Sequence, residues 1–158
     1  MTALTLDQAN RIIDAILRRA AEINCRPLSV IVVEPGCKVK AFQKEDGSSM
    51  VRFEMAYGKA YAALALGRSS KLVRVRAEER PIFMRYLMSA TGDQIFAEGG
   101  GLQIRNPEGE VIGAVGVTGD TEDRDEELAA HGIHSAGLKV DADFEGMGRH
   151  GGVRLTNK

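Results

Sequence analysis

The sequence predicts an α+β fold in which helices flank one antiparallel sheet. Its predicted elements come in the order helix, two strands, two or three helices, two or three strands and a final helix. Short turns join the strands within each group, and strands that are joined in this way are antiparallel. The 158 residues are enough for one domain with a hydrophobic core of its own.

The first helix and the first hairpin are predicted from local patterns. Thr5 and Gln8 form a capping-box pattern, and apolar residues follow at helical spacing. The β-branched run PLSVIVVE is typical of a buried central strand, whereas CKVKAF alternates apolar residues with lysine, as a half-exposed strand does. Because a Pro-Gly pair separates the two runs, residues 28–43 are predicted to form a hairpin.

The middle of the chain is predicted to be helical, and the last third returns to strands. The segment MVRFEMAYGKAYAALALG has apolar residues on most of its faces, which is typical of a helix buried in a core or in a subunit interface. Ser70 is the predicted cap of a short charged helix, and Pro81 is the predicted first residue of another. The strand LQIR, the turn NPEG, the strand EVIGAVGV and a helix with an acidic first turn follow.

The last 21 residues differ in composition from the rest. Residues 138–158 are rich in glycine and have few apolar positions. Such a composition is typical of a terminal segment that lies outside a packed core. The domain is therefore predicted to span residues 1–137, and residues 138–158 are predicted to be a C-terminal tail or arm.

Composition restricts the class of protein. The formal net charge is −1, which does not favour a nucleic-acid partner. No apolar run approaches the roughly 20 residues that span a bilayer, so no membrane partner is expected. The start MTALTLDQANRII lacks the basic and apolar regions of a signal peptide, which predicts a cytoplasmic protein. Cys25 and Cys37 are expected to be free thiols there.

The candidate ligand site is centred on the glycine run Gly99, Gly100 and Gly101. Consecutive backbone amides can form a concave nest that binds an anion. A β-bulge or a sharp bend that needs positive φ explains the same glycines without any ligand. No nucleotide-binding motif surrounds the run, because it lacks the strand–GxGxxG–helix arrangement and no GK[ST] follows.

Three cations are the candidate ligand-binding side chains near this run: Arg52, Lys59 and Arg105. Positions 52 and 59 are two helical turns apart and therefore project from one face. Arginine and lysine beside a glycine turn suit a carboxylate or a phosphate, and arginine can bind it through two hydrogen bonds. A solvated or salt-bridged surface is the alternative interpretation of the same residues.

Tyr57 and Lys59 are the candidate catalytic residues. Tyr57 and Tyr61 lie one turn apart and could flank a planar ligand, and Tyr57 could donate a proton, although tyrosines at this spacing more often pack with a polar tip. A group of acidic residues could supply a general base, but an acidic start of a helix also complements the helix dipole. These residues are Asp120, Asp123, Asp125, Glu126 and Glu127.

The histidines do not form a metal signature. His131 and His134 are three residues apart on the last predicted helix, and Glu127 lies one turn earlier. The three side chains could chelate a metal. An exposed pair near the end of a helix is the preferred interpretation, so no metal site is predicted.

Three segments together resemble the GlcG/HbpS-like family, which includes the C-terminal domain of PduO-type corrinoid adenosyltransferases. They are RFEMAYGKAYAALALGR, EGGGLQIR and EVIGAVGVTGDTEDRDEELAAHG. The resemblance covers residues 3–137 and implies a profilin-like fold with a central five-stranded antiparallel sheet, assembled into rings or octamers. Family members are linked to haem binding, to haem degradation and to operons for the catabolism of glycolate, diols or aromatic compounds. Gln103 stands where the family pattern GGxPI has proline.

The resemblance and the candidate site together suggest two main functions. In the first, an accessory or sensory protein binds haem or another anionic planar ligand beside Gly99–Gly101, and Arg52, Lys59 or Arg105 meets its propionates. In the second, a small catabolic enzyme of the isomerase, decarboxylase or hydratase type holds a small carboxylate with Arg52 or Arg105. There the glycine amides stabilise an oxyanion. A third hypothesis gives the apolar helix and the glycines a role in assembly alone. Haem is the one cofactor implied, and whether the protein is an enzyme stays open.

Overall fold

The sheet contains four antiparallel strands, β1 (Ser29–Glu34), β2 (Lys38–Lys44), β3 (Gly101–Arg105) and β4 (Val111–Thr118). They lie in the order β2-β1-β4-β3 in a computed structural model that describes residues 3–145. The α+β class, the antiparallel sheet and the first hairpin are confirmed. Strands β2 and β3 form the two edges of the sheet.

The five-stranded sheet that the resemblance implies is wrong for the described residues, which form four strands. The outer side of β3 is occupied by a single backbone bridge between Arg105 and Lys139, with two N–H···O bonds of 2.8 Å. Directly after this bridge the chain turns into a 3₁₀ helix, Asp141–Phe144. The pairing is therefore too short to make a fifth strand.

Helices cover both faces of the sheet. On one face, α1 (Leu6–Glu22) and α5 (Glu122–Ser135) pack on the side chains of Val30 and Val32. On the other face, α2 (Arg52–Leu66) packs on Ile31 and Val33. Because alternate residues of β1 are buried on opposite faces, the β-branched run is a central strand, as predicted. Further out, α3 (Ser70–Glu79) and α4 (Pro81–Ala90) cover part of α2.

The predicted helix starts are confirmed with one correction. Thr5 and Gln8 form both hydrogen bonds of the capping box, at 3.0 and 3.1 Å, and Pro81 is the first residue of α4. The cap of α3 is Ser69, whose Oγ accepts the Leu72 amide, and the prediction of Ser70 is wrong by one residue. Ser70 is instead buried, and its hydroxyl turns towards β3.

Glycines allow α2 to approach the sheet closely. Gly101 and Gly116 face each other across β3 and β4. A Cβ at Gly101 would overlap the carbonyl oxygen of Lys59, and a Cβ at Gly116 would overlap that of Ala56. The backbone of α2 therefore rests directly on the two strands. This contact positions the side chains of α2 over the end of the sheet.

The described part of the predicted tail packs on the domain. Leu138, Val140 and Phe144 are buried, and the 3₁₀ helix lies against β3. Residues 146–158 lie outside the described residues, so the boundary at residue 137 stays a prediction. In the described part of the chain, no helix has both the length and the apolar character needed to cross a bilayer.

Candidate functional site

The two cations of α2 both reach the end of β4, as their spacing predicts. Lys59 Nζ donates to the carbonyl oxygen of Val117 at 2.9 Å and lies 3.2 Å from Asp125 Oδ2. Arg52 Nη1 donates to Thr118 Oγ1 at 3.0 Å. Lys59 and Asp125 side chains are each 1% exposed, whereas Arg52 is half-buried. A ligand in solution can therefore reach Arg52, but Lys59 is enclosed.

Burial disfavours the charged form of both members of the Lys59–Asp125 pair. Desolvation lowers the pKa of Lys59, and the attraction of Asp125 opposes that shift. Desolvation likewise raises the pKa of Asp125, and Lys59 opposes it. The backbone amide of Asp120 adds a hydrogen bond of 3.2 Å to Asp125 Oδ1. Each charge thus depends on the other for its stability in the core.

The glycine run is fixed by the helices around it. The Gly99 amide donates to Glu122 Oε1 at 2.7 Å, and the Gly101 amide donates to Ser70 Oγ at 2.7 Å. Gly100 has φ +128°, and a Cβ there would overlap the carbonyl oxygen of Val117. Close packing and positive φ therefore account for these glycines, and a ligand-binding role for their amides stays a prediction.

Arg105 lies apart from the other two cations. It is 4% exposed at the far end of β3, where its Nε contacts Asp141 Oδ1 at 2.6 Å and its Nη1 donates to the carbonyl oxygen of Gly109 at 2.6 Å. The amide of Gln103 donates to the same carboxylate at 3.1 Å. The glutamine that replaces the family's proline thus helps to hold the 3₁₀ helix. The structure does not bring Arg105 to Arg52 and Lys59.

A row of partly exposed aromatic rings, the α2 aromatic row, follows the outer side of α2 and the neighbouring β2. The centroids of Phe53 and Tyr57 are 6.2 Å apart with the planes at 21°, and those of Tyr57 and Tyr61 are 6.1 Å apart. Phe42 meets Phe53 edge-on at 4.9 Å. The sequence predicted the tyrosines as candidates, but Phe42 and Phe53 were not predicted. The spacing of four residues between Phe53 and Tyr57 places both rings on one side of the helix, and this spacing could have identified Phe53.

The phenol of Tyr57 is hydrogen-bonded and protonated. Its hydroxyl donates to Gln94 Oε1 at 3.2 Å. Burial raises the pKa of Tyr57, and the neighbouring Cys37 thiol raises it further. A phenol with a raised pKa stays protonated near neutral pH and is a weaker acid than an ordinary tyrosine, so the role of Tyr57 as a proton donor stays a prediction.

The acidic start of α5 joins several elements. Glu122 accepts the Gly99 amide and also pairs with Arg74. Asp123 pairs with Lys71 of α3 at 2.6 Å, and Asp125 holds Lys59. These contacts add a packing role to the helix-dipole interpretation. The role of general base stays a prediction.

The histidines and cysteines are on other parts of the molecule. His131 and His134 lie on α5, across the sheet from α2, and His134 Nε2 lies 2.8 Å from Asp143 Oδ2. Over residues 3–145, no group of three or more His, Cys, Asp or Glu side chains is arranged to hold a metal. Cys25 and Cys37 are free thiols.

Comparison with known proteins decides the family. The model of the HbpS-like family, described as haem degrading protein HbpS-like, matches residues 4–134. The chain belongs to the HbpS-like family. A relative from Citrobacter freundii, described as an uncharacterized 15.0 kDa protein in the dhaT-dhaS intergenic region, is 32% identical over 130 residues. That match covers 82% of this chain and 89% of the relative.

Three solved structures share the fold. Klebsiella pneumoniae protein ORFY is 26% identical, with a TM-score of 0.77 over 87% of this chain and 93% of that one. The PduOC:heme complex is 22% identical, with a TM-score of 0.75 over 87% and 97%. HbpS itself is 24% identical, with a TM-score of 0.72 over 85% and 90%. The family match ends before residues 138–145, which pack on β3.

Proposed function

We propose that this HbpS-like protein binds haem, or another planar ligand with carboxylate groups, and serves as an accessory or sensory protein. The observation that carries the proposal is the α2 aromatic row with the accessible Arg52 at its start. Family membership and the haem complex of a protein with the same fold support it. In this proposal the protein acts in the cytoplasm, in the setting of a catabolic operon that the family resemblance implies.

The α2 aromatic row suits the ring of such a ligand. Nearly parallel aromatic faces favour offset stacking with another flat π-system. One nitrogen of Arg52 is anchored on Thr118, and a guanidinium carries five N–H donors, so the same side chain can also hold a carboxylate. Thr118 follows Val117, whose amide donates to the carbonyl oxygen of Gly100 at 2.9 Å. Arg52 is thereby linked to the strand end that pairs with Gly100, and in this proposal the ligand extends from the α2 aromatic row towards that turn.

The residues at this site fit the ring and the propionates of haem. Tyrosine is one of the side chains that hold haem iron in proteins, and Tyr61 places a phenol oxygen in the row, whereas the protonated Tyr57 offers its ring face. His131 and His134 lie on the other face of the sheet, so they do not contact a ligand bound at the α2 aromatic row. Lys59 supports the site from below by holding α2 to α5 through Asp125.

The enzyme hypothesis is supported by one feature, the environment of Lys59. A buried lysine with a lowered pKa beside a carboxylate is a common element of catalytic sites. In that function, Arg52 would hold a small carboxylate substrate, and Tyr57 would donate a proton. The reaction would need Lys59 Nζ to contact the substrate, and Lys59 is fully enclosed. Ligand binding at the accessible Arg52 is the better supported function.

The proposal predicts a saturable change in the visible absorption of haemin at one haem per chain. Arg52→Ala removes a charge-assisted contact of about 1.5–3 kcal/mol, so we expect the affinity to fall about 10-fold or more. The matched control is Arg18→Ala, which removes an exposed arginine from α1 on the other face of the sheet and leaves the affinity unchanged. Failure of haemin to saturate the protein, or equal affinities of wild type and Arg52→Ala, would contradict the proposal.

The second part of the proposal is that the chain self-associates into a homo-oligomer. The family resemblance implies an octamer. Two large apolar side chains of α4 are strongly exposed, Ile82 at 77% and Tyr86 at 71%. Soluble monomers rarely expose a large apolar patch, and Phe83 of α4 and Val75 of α3 are also exposed apolar side chains. The patch is therefore the proposed contact with a second copy of the chain.

The Ile82→Glu/Tyr86→Glu variant is expected to lower the mass measured by light scattering, because it places two charges in this contact. Wild type should exceed the 17.1 kDa of one chain, and the variant should approach it. Val39→Glu changes an exposed apolar residue of β2 and serves as the control. A monomeric wild type, or a variant with the mass of wild type, argues against this contact.

A further inference from the structure

A cavity of about 500 Å³ lies on the α5 side of the sheet, away from the α2 aromatic row. It is open to solvent on one side, and its walls are the start of α3, β3, α5 and the 3₁₀ helix at Asp141–Phe144. Its volume falls within the roughly 300–1,000 Å³ of small-molecule sites. Its lining is mainly apolar, and the apolar members are Leu72, Leu102, Ala130, Val140 and Ala142. The cavity therefore offers a surface for the apolar body of a ligand.

Carboxylates predominate among the charged residues that line this cavity. They are Glu126, Glu127, Asp141 and Glu145, against the single cation Lys71. Two of the charges are already balanced, because Lys71 pairs with Asp123 at 2.6 Å and Asp141 pairs with Arg105 at 2.6 Å. Glu126 also lies in the field of Lys71, whereas Glu127 and Glu145 form no ion pair within residues 3–145, so the lining keeps a net negative charge in a chain with a formal net charge of only −1. The local field therefore attracts a cation and repels an anion.

We propose that this cavity binds a small organic cation, in which an ammonium or guanidinium group is attached to an apolar body. The apolar body rests on Leu102 and Val140, and the cationic group meets the carboxylates of α5 and Glu145. The cavity provides the space for the ligand, and the carboxylates favour a ligand with a positive charge.

Residues 138–145 form one wall of the cavity. The family match ends at residue 134, so this wall lies beyond it. The buried Arg105–Asp141 pair and the backbone bridge at Lys139 hold the wall to β3. His134 and Asp143, 2.8 Å apart, hold it to α5. These contacts fix one wall of the cavity without any ligand.

Calorimetric titration of the full chain with benzyltrimethylammonium tests the proposal. This probe combines a permanent positive charge with an apolar ring, and benzoate is its anionic counterpart. We expect saturable binding of the cation at one per chain and no saturable binding of benzoate. In Glu126→Gln/Glu127→Gln/Glu145→Gln, the affinity for the cation should fall at least 10-fold. The control Asp46→Asn/Glu79→Gln/Glu108→Gln removes the same charge from positions elsewhere on the surface and should bind as wild type does.

Ala142→Trp provides a second variant, since position 142 is exposed and a large side chain there fills the cavity without entering the core. We expect it to abolish binding of the cation while its far-ultraviolet circular dichroism stays native. The absence of saturable binding by wild type, equal binding of benzoate, or an unchanged affinity in the cavity variants would overturn the proposal. Haemin binding at Arg52 is unaffected by these outcomes, because the two sites lie on opposite faces of the sheet.

Discussion

Lys59→Met is expected to destabilise the protein by about 3–5 kcal/mol at neutral pH, because it leaves the Asp125 carboxylate buried without a cation. The carbonyl oxygen of Val117 loses its donor at the same time. Methionine keeps a similar length and packing, so the loss is electrostatic. Urea unfolding followed by circular dichroism measures it. Arg11→Met breaks the exposed pair with Asp7 and should cost less than about 1 kcal/mol.

The pH dependence of this variant follows from Asp125. Burial raises the pKa of Asp125 above its ordinary 3.8, and without Lys59 nothing of comparable strength opposes the rise. An acid with a raised folded-state pKa stabilises the fold below its unfolded-state pKa and loses that contribution as pH rises through the folded-state pKa. The variant should therefore be less destabilised at about pH 4 than at about pH 7.

Lys59→Met/Asp125→Asn checks that the two residues act as a pair. Removing the second charge should recover at least about 1 kcal/mol relative to the sum of the single variants. The oxygen of the introduced carboxamide can still accept the Asp120 amide, as Asp125 Oδ1 does. If the loss of unfolding free energy in the double variant equals the sum of the losses in the two single variants, the two residues do not act as a coupled pair.

Gly116→Ala is expected to cost about 3 kcal/mol or more, at the upper end of overpacking effects. The added methyl group would overlap the carbonyl oxygen of Ala56, and neither backbone can move without parting α2 from the sheet. Thermal and urea unfolding measure the loss. Because α2 carries Arg52 and Tyr57, the variant should also bind haemin more weakly than wild type.

Gly36→Ala is the matched control for this substitution. Gly36 has φ +78°, but an added methyl group would have no other atom within 4 Å, so only backbone strain of about 1–2 kcal/mol is expected. If Gly116→Ala is as stable as Gly36→Ala or more stable, then Gly116 is not needed for the close approach of α2 to the sheet.

Local signals in the sequence were enough for most of the fold. The capping box at Thr5, the turn before Cys37 and the Pro81 start are decided by neighbouring residues, and each is observed. Ser69 and Ser70 have the same capping preference, so the sequence alone does not choose between them. The predicted number of strands was wrong for another reason. That number depends on how the chain after α5 pairs with β3, and this contact joins residues far apart in sequence.

The candidate site was predictable in part. Helical spacing alone places Arg52 and Lys59 on one face, and both reach the end of β4. The partners of Lys59 and Arg105 were beyond local reasoning. Asp125 is 66 positions from Lys59, and Asp141 is 36 positions from Arg105 in a segment with no helical or strand signal. Such pairs exist only once the sheet has brought distant elements together.

The most direct test of the proposed function is a crystal structure of the protein grown with haemin. We expect the ring to lie against Phe53 and Tyr57 and a propionate to contact Arg52. Haemin bound on the α5 side of the sheet, or held at the surface without contact to Arg52 or the α2 aromatic row, would contradict it.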